Sequence, residues 1–108
     1  MQESSALKVV ADVLADDGTL VMNPNDGFDL GLMNTRQEAL MVFSPDADTV
    51  DTADAIRKDG LVELANDRGL GTCLLSARIH RQLGSPASVR VYRDNESPRP
   101  TITVLPAQ

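Results

Sequence analysis

With Phe28, Phe43 and Tyr92 as its only aromatic residues, this chain has to build its interior from aliphatic side chains. Val, Leu, Ile, Ala and Met must fill one core, because 108 residues suit a single domain, taken here as 1–108. At 42% apolar and 24% charged, the composition is that of a folded globular protein, and disorder is not indicated. So few rings also argue against single-stranded nucleic-acid binding by base stacking, which needs exposed aromatic platforms.

Charge is divided along the chain. Residues 1–67 hold 14 Asp or Glu against 4 Lys or Arg, a formal −10, while residues 68–108 hold 6 Arg against 2 acids, a formal +4. The division predicts two unlike faces, one repelling polyanions and one able to meet them. Cys73 is the lone cysteine and has no internal disulfide partner, which fits a reducing compartment. No apolar run approaches the roughly 20 residues of a membrane-spanning helix. The start Met1-Gln-Glu-Ser-Ser lacks the basic region of a secretory signal, so a cytoplasmic protein with no membrane contact is expected.

Apolar spacing then suggests the elements. Ser4 or Ser5 can cap a helix with Ala6, Val9, Val10, Val13 and Leu14 on one face, stopped at Asp16-Asp17-Gly18. The β-branched residues also allow a hairpin pairing 8–14 with 19–23, so helix or strand stays open for 4–15, the helix being preferred. Strands are predicted near 19–23, 39–44, 88–93 and 100–105, the last two as a hairpin around the polar loop 93–100. Thr52 offers the cap of a helix running through Ile56, Leu61, Val62 and Leu64 to a stop at Gly69. Thr72 caps another, with Leu75, Ile79 and Leu83 on one face and Gly84 as its stop. Residues 24–38 are not fixed by any pattern, and no internal repeat is evident. The expected fold is α+β: about three helices packed on a small, mostly antiparallel sheet of about four strands.

The string Leu61-Val-Glu-Leu-Ala-Asn-Asp-Arg-Gly-Leu70, followed by 72–84, resembles the helix-turn-helix superfamily. Ala65, Gly69 and Leu70 match the small helix residue, the turn glycine and the apolar plug, while Arg78 stands where many members place a core residue. A hairpin directly after would make residues 52–106 winged-helix-like. The resemblance implies duplex DNA contact through Thr72, Ser76, Arg78, Arg81, Arg90, Arg93 and Arg99, with His80 as an outside candidate. A homodimer would suit paired half-sites.

Other chemistry is poorly supported. Gly69-Leu-Gly71-Thr-Cys-Leu74 has Leu74 in place of a third glycine, which speaks against a dinucleotide site. The acidic run 46–57 puts Asp51 where a calcium loop needs glycine, and Arg57 where it needs a bidentate Glu. Cys73 and His80 stand two helical turns apart, too far for a nucleophile–base pair and too few for zinc. No catalytic site, cofactor or metal is therefore expected. Two functions remain in view: a non-enzymatic nucleic-acid-binding or transcription-related module, and a small acidic adapter whose N-terminal part docks a protein partner.

Overall fold

The computed structural model describes residues 2–94 and 99–107. They form eight strands: β1 (Gln2–Glu3), β2 (Leu7–Asp12), β3 (Thr19–Met22), β4 (Arg36–Phe43), β5 (Ile56–Leu64), β6 (Thr72–Ser76), β7 (Ser88–Asp94) and β8 (Thr101–Pro106). Among the described residues the α-helices are two short ones, α1 (Pro24–Phe28) and α2 (Ala77–Gln82). A 3-10 turn spans Ala47–Thr49.

The sheet closes on itself. Its order is β7-β2-β6-β3-β5-β4-β8, β8 pairs back onto β7, and β1 adds two residues beside β7. Closure removes most sheet edges and turns alternate side chains toward one interior. Val89 and Val91 of β7 and Ile102 and Val104 of β8 are buried, with Arg90, Tyr92, Thr103 and Leu105 between them facing out. Phe43 is the one aromatic residue of the core cluster, and Leu30, Ile79 and Leu83, in or just after the two helices, complete it. The core is aliphatic, as the composition requires.

Two halves of the chain repeat the same path. Residues of β3 reappear 53 positions later in β6 (Thr19 and Thr72), the helix caps follow suit (Asn23 and Ser76), and so do the left-handed glycines after each helix (Gly31 and Gly84). The parallel pair β2–β6 sets Lys8 beside Thr72, and the parallel pair β3–β5 sets Leu61 beside Thr19, the same contact with the halves exchanged. Even the crossing bonds match: Leu61 N–H donates to the Gly18 carbonyl at 3.1 Å and Lys8 N–H to the Gly71 carbonyl at 2.9 Å. The strand β8 is the odd element that completes the ring.

This architecture corrects several expectations. The chain is a mostly β, closed barrel, not an α+β arrangement of three helices on four strands. Residues 4–15 hold strand β2, which pairs with β6 and β7 rather than forming a hairpin with β3. The expected helix over 52–65 is largely strand β5, bound on one side by β4 and on the other by β3. Non-local pairing overrides the helical leaning of Leu61-Val-Glu-Leu64. The last expected helix begins only at Ala77, because Thr72–Ser76 is strand and Ser76, not Thr72, is the cap.

The helix-turn-helix and winged-helix resemblance fails for the same reason. Ala65 directly follows a strand, Leu70 is 67% exposed instead of plugging a helix pair, and the hairpin β7–β8 closes the barrel instead of standing out as a wing. The left-handed turn glycine is Gly71, not Gly69. Strands β3, β4, β7 and β8 do fall near the positions expected for strands, although residues 95–98 of the expected loop lie outside the described residues. Among the described residues no helix is long and apolar enough to cross a membrane.

Candidate functional site

The residues expected to meet phosphate are scattered, and most are engaged within the molecule. Ser76 is 2% exposed; its hydroxyl accepts the Ile79 N–H at 3.0 Å and donates to the Asp17 carboxylate at 2.8 Å. Arg78 pairs with the same carboxylate at 2.9 Å. Thr72 donates its hydroxyl to the Gly69 carbonyl at 2.6 Å. Arg93 donates to the carbonyls of Leu30 and Gly31 at 3.0 and 2.8 Å, closing the chain behind α1. Arg99 pairs with Asp59 on β5. His80 is tied to the Pro86 carbonyl at 2.7 Å. Among the described residues Arg81 and Arg90 make no ion pair; one lies on α2 and the other on the outer face of β7.

Around Arg90 the chain makes a groove. Its floor is the outward side of the β7–β8 ribbon, where the pairing sets Arg90 beside Leu105, Tyr92 beside Thr103 and Asp94 beside Thr101. Its wall is the segment 44–55, which leaves β4 directly after Phe43. Two adjoining hollows of ≈330 and ≈500 Å³ share Ala47, Tyr92 and Leu105, with Pro45 and Pro106 at the Arg90 end and Val50 and Asp51 at the Asp94 end. Hollows of this size suit side chains of a ligand or peptide. Tyr92, the only tyrosine, is half-buried on that floor. Val42, buried at 2% outside the core cluster, shows that chain already covers the barrel's outer face next to Thr103.

The wall is fixed by its own polar residues. Fully buried Ser44 shares its hydroxyl with Thr49 Oγ1 and the Asp46 carbonyl, each at 2.7 Å. The Asp46 carboxylate accepts the N–H groups of Asp48 and Thr49 at 2.9 and 3.0 Å, capping the 3-10 turn. At the far end the Arg57 guanidinium holds the Val50 carbonyl and the Asp51 carboxylate. Residues 44–55 contain four Asp and no Lys or Arg, so the groove has an acidic bank.

A larger cleft of ≈590 Å³ lies where Gly18 meets Gly60. Asp16, Asp17, Lys58 and Asp59 line it, and Arg78 and Arg99 already engage two of those carboxylates. Its apolar lining is limited to Ala15 and Leu61 beside the two glycines. Among the described residues no cluster of three or more metal-binding side chains occurs. Burial pushes the Cys73 thiol up to about 12, with the nearby Asp26 carboxylate adding to the rise and Arg68 opposing it. Such a thiol is a core filler and not a nucleophile at neutral pH.

The groove was not found from sequence, although one signal was available: alternation in β7 turns the only tyrosine outward between Arg90 and Asp94. The wall opposite it comes from far earlier in the chain, at residues 44–55, and carries no such mark. No family model, curated protein or solved structure matches the chain.

Proposed function

We propose that this barrel is a non-catalytic interaction module that receives a segment of a partner protein in the groove between β7–β8 and residues 44–55. The observation carrying the reading is a pre-shaped groove with an apolar floor at Tyr92 and Leu105 under a clamped acidic wall. Apolar contact supplies affinity at such a surface, and rim charges select the partner. The overall charge of −6 favours a cationic partner over a polyanion. A duplex-binding surface has less support, since Arg78, Arg93 and Arg99 spend their guanidinium groups on internal acceptors in different places.

Selection of random displayed peptides against the purified protein tests this. With one tyrosine and no tryptophan, intrinsic fluorescence reports on Tyr92 directly. Enriched peptides should change that fluorescence and lose binding to Leu105→Asp, while the double variant Arg78→Ala/Arg81→Ala binds them as before. Failure to enrich any peptide, or binding indifferent to the Leu105 change, overturns the reading. So does salt-steep duplex binding at roughly 50 mM salt that the arginine double variant abolishes.

A further inference from the structure

Resting on that reading, we infer that the groove recognises an extended peptide segment carrying opposite charges four residues apart with an apolar residue midway between them. The floor itself has this order. Arg90, Tyr92 and Asp94 project outward at alternate positions of one strand, cation, aromatic, anion. At about 3.3 Å per residue the two charges lie on the order of 13 Å apart along β7. An extended segment laid along the strand has the same period, so its residue i reaches Arg90 beside Leu105, i+2 covers Tyr92 beside Thr103, and i+4 reaches Asp94.

The wall reinforces one end of this axis more than the other. Asp51 lines the Asp94 end and adds negative charge there, shared with Arg57. At the Arg90 end the nearby Asp46 carboxylate is turned into its own 3-10 turn, where it accepts two backbone N–H groups. The groove therefore offers a cation at one end and an anion at the other, and like charges at both ends of a ligand must leave one mismatched.

Four nine-residue peptides test it, identical except for a central Glu-x-Leu-x-Lys, Lys-x-Leu-x-Glu, Glu-x-Leu-x-Glu or Lys-x-Leu-x-Lys, titrated against Tyr92 fluorescence at low salt. One mixed-charge peptide should bind about tenfold tighter than either same-sign peptide, roughly threefold for each rim pair. In Arg90→Asp/Asp94→Arg the preference should pass to the other mixed-charge order, with the thermal transition unchanged. Equal binding by all four, or no exchange of preference in the swapped variant, overturns the charge order while leaving the groove in place. No binding by any of them, together with no enrichment from random libraries, overturns the interaction reading itself.

Discussion

Two residues set conditions that no neighbour can relax. A Cβ on Gly60 would fall 2.0 Å from the Gly18 carbonyl oxygen and 2.7 Å from Met41, at the point where the two halves cross. Gly84 has instead a left-handed backbone, φ +88°, with open space around it. Gly60→Ala should therefore cost on the order of 3 kcal/mol, because backbone has to move, whereas Gly84→Ala should cost about 1 kcal/mol of dihedral strain. Urea unfolding followed by circular dichroism separates the two. Cys73 sets a pH limit instead. Its folded value of about 12 stands above the ordinary 9.0, chiefly through burial. The unfolded chain then loses this proton first as pH rises, so the stabilisation is complete below about pH 9 and declines toward pH 12. The slope approaches about 1.4 kcal/mol per pH unit. Cys73→Ala should lack that component, visible as a shallower fall in melting temperature between pH 9 and 11 than the parent shows. A native thiol that reacts readily with a small disulfide reagent at pH 8 would contradict it.

At the scale of elements, each short helix is held by a cap that also ties it to the other half of the chain. Asn23 accepts the Asn25 N–H at 2.9 Å and donates to the Arg68 carbonyl at 2.8 Å; Ser76 accepts from Ile79 and donates to Asp17. Five- and six-residue helices have too little intrinsic stability to stand without such ties. Ser76→Ala should cost about 1–2 kcal/mol, and Asp17→Ala and Ser76→Ala together should cost less than their sum, since both break one bond. A double-mutant cycle by chemical unfolding measures the difference, and strict additivity would show that the bond contributes nothing. The same elements explain what could be read locally. Strands β7 and β8 alternate cleanly, β3 and β4 are short apolar runs, and all four lie next to turn residues. The strand–helix unit 72–82 hid its boundary because Leu75, Ile79 and Leu83 happen to fall four apart, although Leu75 belongs to the strand and the others to the helix and its end. β5 hid because Asp59-Gly60 interrupts it and Leu61–Leu64 favours helix until β3 and β4 flank it. The repeat between halves retains few shared residues (among them Val9 and Val62, Gly18 and Gly71, Thr19 and Thr72, Leu30 and Leu83, Gly31 and Gly84), too sparse to stand out.

For the whole molecule, closure is what assembles both core and groove, and both depend on contacts distant in sequence. Arg90 and Tyr92 lie on the alternating strand expected at 88–93, whereas Asp94 falls in the expected loop 93–100, and the wall at 44–55 meets all three only after β4 and β8 pair in parallel. The two halves interleave: β2 of the first pairs with β6 and β7 of the second, and β3 with β5 and β6. Neither half can complete its own sheet, so neither has a core to bury alone. Forming these pairs means closing long loops before any contact repays the lost entropy, which slows folding. The barrel should accordingly fold in milliseconds to seconds, in one transition seen alike by Tyr92 fluorescence on its outer face and by far-ultraviolet circular dichroism of the sheet. Separate peptides for residues 1–53 and 54–108 should lack the strand signal of the closed barrel, the second keeping at most that of the β7–β8 hairpin, and regain it on mixing, because every strand pair except β7–β8 joins the two halves. A half that folds by itself, or two transitions that do not coincide, would mean that the halves are independent units and that the groove, whose floor and wall come from different halves, could be lost while one half stays folded.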